Sequence, residues 1–165
     1  MYRAVLDSMF IPHKTGGITQ LVIWDSTQTF GREILAPGVF RELYRLPEVD
    51  SAVVKDFKSR NLESRSLKYL PTLGLKFPIV LATPETLRGL PRQDPDKYWS
   101  EFYKRYPGAS GLISFSAIGY TADGNIALLM VGQGCGSLCG AGHNVVAKRQ
   151  GGRWRLIAIQ QTWVS

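Results

Sequence analysis

Long apolar runs, internal repeats and low-complexity segments are all missing from this 165-residue sequence. Its apolar runs are short and are interrupted by glycine or charged residues, so we expect no segment that spans a membrane. No period of about 20–50 residues recurs, which excludes solenoids and propellers. The remaining expectation is a single domain covering residues 1–165, because a chain of this length buries about 70% of the surface that its unfolded form exposes.

Familiar catalytic motifs are also missing. The sequence has no G-x-S-x-G elbow, no H-E-x-x-H pair, no Walker loop and no G-x-G-x-x-G that opens a helix. These absences argue against the common serine hydrolases, zinc proteases and nucleotide-binding folds, and the sequence predicts no cofactor. Cysteine is scarce, since Cys135 and Cys139 are the only two.

A secretory leader is not legible at the amino terminus. Met1, Tyr2 and Arg3 lead directly into an amphipathic segment that contains Asp7, without the apolar core of a signal peptide. A mature domain whose leader had been replaced by an initiator methionine would look the same. Localisation therefore stays open, and export is one of the alternatives.

Acidic residues are outnumbered by basic ones, 13 against 20, which gives a formal net charge of +7. Such a balance favours acidic partners such as nucleic acid, anionic lipid or an anionic cell-wall polymer. The basic residues are scattered, however, and neither an RNA-stacking strand nor a helix-turn-helix is present. The sequence thus carries no specific nucleic-acid signal, and most of the charge is expected on ordinary solvated surface.

The first two thirds of the chain predict helices mixed with strands. Apolar residues spaced as on one helical face predict a helix at Tyr2, Val5, Leu6, Met9 and Phe10. Two apolar runs of strand length follow, Gln20–Trp24 and residues 77–82. Between them, a helix capped by Asp50 or Ser51 is expected to bury Val53, Val54 and Phe57.

An aromatic helix precedes the last third. Asp94 and Pro95 are typical of a helix start, with a capping acid followed by proline in the first turn. One broad face then carries Tyr98, Trp99, Phe102, Tyr103 and Tyr106. Aromatic residues at helical spacing predict core packing, although a ligand cage is the alternative.

The last third predicts a meander of four antiparallel strands. Residues 112–120 turn at Asp123-Gly124 into residues 126–132, and residues 143–149 turn at Gly151-Gly152 into residues 154–164. The whole order predicts an α+β fold. We expect a four-stranded antiparallel C-terminal meander with helices packed on one face, plus one or two N-terminal strands.

Several motifs carry a resemblance. They are D-F-K-x-x-N ending at Asn61, W-x-x-F-Y-K-R-Y-P-G-A-S-G starting at Trp99, C-G-S-L-C-G-A-G starting at Cys135, and the closing G-G-R-W…W-V-S. On these motifs the chain resembles a family of small uncharacterised bacterial proteins, over about two thirds of its length. The family has no assigned activity, so the resemblance supports the architecture and implies no mechanism. It also implies export.

The segment from Gly132 to Gly142 is the candidate site. Its five glycines imply positive-φ positions or a close approach of the backbone to another group. In the simplest interpretation, a wide hairpin loop is closed by a Cys135–Cys139 disulfide in an exported protein, or holds two buried thiols in a reducing compartment.

Three other interpretations of this loop stay open. A zinc site could use both cysteines and His143, with His13 or an acid as the fourth ligand, but the spacing is unusual and no metal is predicted. A thiol hydrolase could use Cys135 or Cys139 activated by His143. An anion could bind to backbone N–H groups with two basic side chains nearby. The residues of that binding interpretation are Gly134, Gly136, Ser137, Gly140, Lys148 and Arg149.

Two hypotheses about function follow. The first is a small basic binding or interaction protein without enzymatic activity, a candidate for the bacterial cell envelope, whose partner is acidic or an anionic polymer. The second is a small hydrolase that uses Cys135, Cys139 and His143.

Overall fold

The fold comes from a computed structural model, which describes residues 1–11, 17–29, 40 and 42–165. His13, the alternative zinc ligand, lies outside these residues. Within them, the helices are α1 (Tyr2–Val5), which continues as a π-helical segment (Leu6–Phe10), α2 (Ser51–Arg60), α3 (Pro95–Arg105), and two short 3₁₀ helices (Leu43–Arg45 and Leu70–Leu73). The strands are β1 (Gln20–Trp24), β2 (Ile79–Ala82), β3 (Ala109–Phe115), β4 (Gly119–Tyr120), β5 (Ile126–Gly136), β6 (Cys139–Gln150) and β7 (Arg153–Val164).

The strands form one mixed sheet. Its order is β2-β1-β3-β5-β6-β7, and the short β4 pairs with β5 beside β3. The α+β class and the sequence-order pairing of the C-terminal strands are confirmed, because β3, β5, β6 and β7 are successively antiparallel. The two predicted N-terminal strands are present as β1 and β2. They extend the same sheet, which is mixed and not purely antiparallel, because β1 is parallel to both of its neighbours. The described sheet has seven strands because the predicted strand 112–120 is divided into β3 and β4.

The parallel pairing follows from the connections. Residues 25–78 and 83–108 separate β1, β2 and β3, and each connection contains helix, as a crossover between parallel strands requires. Leu21, Val22 and Ile23 are consecutive and fully buried. Such an uninterrupted apolar run is typical of a strand covered on both faces.

Helices cover both faces of the sheet, whereas one face was predicted. The odd-numbered Leu129, Val131 and Val145 pack in one core with α1. The even-numbered Leu128, Met130 and Val146 pack with α2. Because successive side chains of a strand point to opposite faces, α1 and α2 lie on opposite sides. The side that α3 covers is the α2 side, since Val22 and Leu112 pack against it.

The predicted helix starts are confirmed. The Asp50 carboxylate accepts a hydrogen bond from the Val53 backbone N–H at 2.9 Å. The Asp94 carboxylate accepts one from the Lys97 N–H at 3.0 Å. Each cap satisfies a backbone donor that the first helical turn leaves without a partner.

Asn61 explains one of the recognised motifs. Its amide is fully buried, donates to the carbonyls of Phe57 (2.7 Å) and Ala117 (3.1 Å), and accepts from the Ala117 N–H (2.8 Å). The end of α2 is therefore fixed to the connection between β3 and β4. These hydrogen bonds hold the end of α2 beside the carboxyl end of β3.

Candidate functional site

The cysteine segment is a tight turn closed by a disulfide, and it is not the wide loop that was expected. Gly136 pairs with Cys139, so only Ser137 and Leu138 lie between β5 and β6. A register shift between Gly134 and Gly136 leaves Cys135 unpaired in the ladder and next to the Gly136–Cys139 pair. The Cα atoms of Cys135 and Cys139 are 5.0 Å apart, and their sulfur atoms are bonded. Leu138, at the tip, is 88% exposed.

His143 is not brought to the two sulfur atoms. It lies four residues beyond Cys139 on β6, which is about 13 Å along an extended strand. Its side chain faces the α1 side, where it lines a cavity of about 320 Å³ with Ser8, Met9 and Phe10. Burial lowers the pKa of His143 from its ordinary value. The disulfide also occupies both thiols, so the nucleophile and base of the proposed hydrolase are not assembled in this state.

Lys148 and Arg149 are not brought to the glycines either. Lys148 pairs with Ile126 at the far end of β6, about 27 Å along the strand from Gly140. The Lys148 ammonium lies 3.8 Å from the carboxylate of Glu48. The backbone N–H groups near Gly134, Gly136, Ser137 and Gly140 therefore have no help from these two cations.

The glycines of β5 and β6 form a flat floor for two indole rings. Gly132 pairs with Gly142, and Gly134 pairs with Gly140. None of the glycines between positions 132 and 142 has a positive φ, so turn conformation does not explain them.

Close contact with aromatic rings explains three of them, Gly134, Gly140 and Gly142. A Cβ on Gly134 would lie 3.0 Å from Cζ2 of Trp99, and a Cβ on Gly140 would lie 3.0 Å from Cζ3 of Trp163. A Cβ on Gly142 would overlap the pyrrole edge of Trp163. Of the two expectations for these glycines, close approach is confirmed.

The turn is fastened to α3. The Tyr103 hydroxyl donates to the Cys135 carbonyl at 2.8 Å, and the Ser137 hydroxyl donates to the Asp96 carboxylate. Ser137, a predicted binding residue, thus has a partner within the protein. The disulfide turn and α3 form one continuous surface.

The aromatic helix is only partly core. Phe102 is fully buried and Tyr106 is 7% exposed, as expected for core residues. Tyr98, Trp99 and Tyr103 are half-buried and pack against the same core, so they combine core packing with partial exposure. Burial raises the pKa of Tyr98 and Tyr103.

Two of these rings, Tyr98 and Trp99, line a depression. The sequence offered a ligand cage as the alternative for this helix, but it did not connect Trp24 and Arg92 with it. The volume of the depression is about 350 Å³, and Trp24, Arg92, Pro95, Tyr98 and Trp99 line it. We call it the aromatic depression. The rings of Tyr98 and Trp99 are nearly perpendicular, with centroids 5.3 Å apart. Such a surface can hold a flat apolar ring and an attached anionic group.

The sequence signal for this depression is weak. Its residues come from the end of β1, from the loop before α3 and from the first turns of α3. Only the crossover from β2 to β3 brings them together, because α3 then lies over β1. Predicting the depression would have required knowing that β1 is parallel to its neighbours, because that arrangement places α3 over β1.

Neither a metal-ligand cluster nor a membrane-spanning helix is found in the part of the chain that the structure describes. Over residues 1–11, 17–29, 40 and 42–165, no group of three histidine, cysteine, aspartate or glutamate side chains is arranged to hold a metal ion. None of the helices in the same ranges is long and apolar enough to cross a membrane.

Comparison with known proteins adds no assignment, since no protein-family model, curated protein or solved structure matches the chain.

The disulfide gives the first testable prediction. We expect the mass of the protein, isolated without reductant, to rise by two hydrogen atoms on reduction, because Cys135 and Cys139 are the only cysteines. Reduction is expected to lower the free energy of unfolding by about 2 kcal/mol, since the crosslink closes a short loop. Mass spectrometry and urea unfolding with and without reductant measure both effects.

The double variant Cys135→Ser/Cys139→Ser is the control, because reductant should change neither its mass nor its stability. Two free thiols, one of them alkylated rapidly at about pH 6, would contradict the prediction. That result would make the Cys135/Cys139/His143 hydrolase the leading hypothesis.

Proposed function

We propose that this chain is a small, non-enzymatic binding protein of the bacterial cell envelope whose partner is an acidic polysaccharide. The observation that carries the proposal is the aromatic depression, in which three aromatic rings and one guanidinium line the same surface. A sugar ring presents an apolar face of C–H groups and a rim of polar groups. The apolar face can stack on the rings of Trp24, Tyr98 and Trp99. A carboxylate on the polar rim can pair with the guanidinium of Arg92.

The aromatic rings are held in place by the fold. Trp99 packs on the floor at Gly134 and lies 5.2 Å from the buried ring of Phe102, centroid to centroid. Trp24 is the last residue of β1, which lies between β2 and β3 in the sheet. A platform on rigid elements loses little side-chain entropy when a ligand binds, which favours affinity.

Charge supports an anionic ligand. The side chain of Arg92 is exposed beside Tyr98, and its charge opposes the raised pKa that burial gives Tyr98. Asp94 and Asp96, at the start of α3, accept hydrogen bonds from the Lys97 N–H and the Ser137 hydroxyl but keep their negative charge, so Arg92 has to outweigh them by direct contact with the ligand. The net charge of +7 attracts a polyanion from a distance.

The disulfide supports a location in the cell envelope. Disulfides persist in oxidising compartments and are rare in the cytosol. The Cys135–Cys139 bond closes the turn that is bonded to α3 through Tyr103. A binding surface stabilised in this way suits a protein that works outside the reducing cytoplasm.

A binding experiment tests the proposal. We expect an oligogalacturonate to quench tryptophan fluorescence and to bind with an affinity that falls as salt rises. Arg92→Met should weaken binding about tenfold, because a charge-assisted bond is lost. Tyr98→Ala should weaken it by a similar factor through loss of ring contact.

Arg155→Met is the matched control, since it removes the same charge from an exposed position of the edge strand β7. Neutral glucose oligomers should bind more weakly than the oligogalacturonate. The proposal fails if Arg92→Met and Arg155→Met bind equally well, or if single-stranded oligo(dT) binds more tightly than the acidic sugar. The latter result would indicate a nucleic-acid-binding protein.

A further inference from the structure

A second cleft opens at the carboxyl ends of β1 and β3, on the α1 side of the sheet. Its volume is about 360 Å³. Thr27, which follows β1, and Ala117, which follows β3, both line it. Ligands of sheets that contain parallel strands commonly bind beyond the carboxyl ends of those strands.

Two arginines give this carboxyl-edge cleft its charge. Arg60 ends α2, where its Nε lies 2.6 Å from the carboxylate of Asp56. Arg65 is held through its backbone: its carbonyl accepts from the Thr27 N–H at 2.8 Å, and its N–H donates to the Thr27 hydroxyl at 2.9 Å. Within the described ranges, ion pairs include Arg60 but none includes Arg65.

The rest of the wall is aromatic. The cleft is lined by rings of Tyr2, Tyr69 and Tyr120, and the Arg60 guanidinium carbon lies 5.6 Å from the centroid of the Tyr120 ring. The Tyr2 hydroxyl is already bonded to the Ser116 carbonyl at 2.7 Å. Burial raises the pKa of Tyr2, and the nearby charge of Arg65 opposes that shift.

Taken together, these features define a pocket for a small molecule with one oxyanion and a flat body. An Arg fork binds a tetrahedral phosphate through two N–H groups. The tyrosine rings leave room for an apolar or aromatic group beside it. A volume of this size suits a metabolite, and it is too small for a folded partner.

We propose that the carboxyl-edge cleft binds the phosphate monoester of a small aromatic molecule, with Arg65 and Arg60 on the phosphate and Tyr69 and Tyr120 around the body. This site is independent of the proposed polysaccharide site, because it lies on the other face of the sheet and shares no residue with the aromatic depression.

Phenyl phosphate is the probe, and its binding is measured by isothermal titration calorimetry and by backbone amide NMR. Saturable binding is expected, with the largest shifts at Arg65, Tyr69 and Tyr120. Inorganic phosphate should bind more weakly, because it has no body to contact the rings. Arg65→Met should weaken phenyl phosphate binding about tenfold, and Arg65→Lys less, since lysine keeps the charge but lacks the fork.

Arg88→Met is the matched control, because Arg88 is an exposed arginine on the loop before α3. It should bind phenyl phosphate as the unsubstituted protein does, and equal unfolding midpoints should show that all variants are folded. Equal affinity of Arg65→Met and Arg88→Met overturns the proposal, as does no saturation up to about 10 mM. Tighter binding of benzoate overturns the assignment to phosphate. Shifts confined to Tyr98 and Trp99, lost in Arg92→Met, would place the ligand in the aromatic depression instead.

Discussion

Replacing Phe102 with alanine is expected to lower the free energy of unfolding by about 3–5 kcal/mol, the range for a large-to-small change in a core. Phe102 has no exposed surface. Its ring centroid lies 5.0 Å from that of Tyr106 and 5.2 Å from that of Trp99. The substitution removes a ring that several others contact and leaves a cavity beneath α3. Urea unfolding followed by circular dichroism measures the effect.

Tyr44→Ala is the control for Phe102→Ala. Tyr44 is 46% exposed on the 3₁₀ helix Leu43–Arg45, so losing its ring should change the unfolding midpoint little. An unchanged midpoint for Phe102→Ala would show that α3 does not pack on the sheet through this residue.

Gly119→Ala is expected to cost about 3 kcal/mol, although it adds a single methyl group. A Cβ at this position would lie 2.5 Å from Cα and Cβ of Phe57 and 2.6 Å from its backbone nitrogen. Since Phe57 is buried in α2, and Asn61 fixes the end of the same helix to Ala117, the helix backbone must move as a whole. The measurement is again the unfolding midpoint, with the slope of the transition compared between variants.

Gly124→Ala separates this close approach from backbone strain. Gly124 has a φ of +68° and nothing within 4 Å of an added Cβ, so alanine there costs only about 1 kcal/mol. If Gly119→Ala were no more destabilising than Gly124→Ala, α2 would not lie against β4 as described.

Local features of the fold could be predicted from the sequence because their causes are local. Asp50 and Asp94 cap helices through bonds to residues three positions later. The turn at Gly151-Gly152 separates two strands that pair with each other. The position of β1 could not be predicted in this way, since its partner strands are distant in sequence. A short apolar run also does not show whether a neighbouring strand is parallel or antiparallel to it. The unbroken Leu21-Val22-Ile23 run was the available sign that both faces are covered.

The candidate site shows the same limit. The glycines from Gly132 to Gly142 were recognised as unusual, but a sequence does not show which group approaches a missing Cβ. Trp99 reaches Gly134 from a helix, and Trp163 reaches Gly142 from a neighbouring strand. The predicted partners of the loop, His143 and Lys148, are close in sequence and distant along β6. Residues that are close in sequence were therefore wrongly expected to lie close in space, because an extended strand adds about 3.4 Å for each residue between them.

The central place of β1 has a consequence for how the chain is made. Gln20 pairs beside Ala109, which the ribosome adds about ninety residues later. At roughly 5–20 residues per second, β1 can pair with β2 after about 3–12 s but waits about 5–20 s for β3, so one edge of the apolar run Leu21, Val22 and Ile23 has no partner strand until then. The antiparallel strands from β5 to β7 need no such delay, because each pairs with the strand made just before it. Nascent chains should therefore be most prone to aggregate, and most dependent on a chaperone, until β3 has been made.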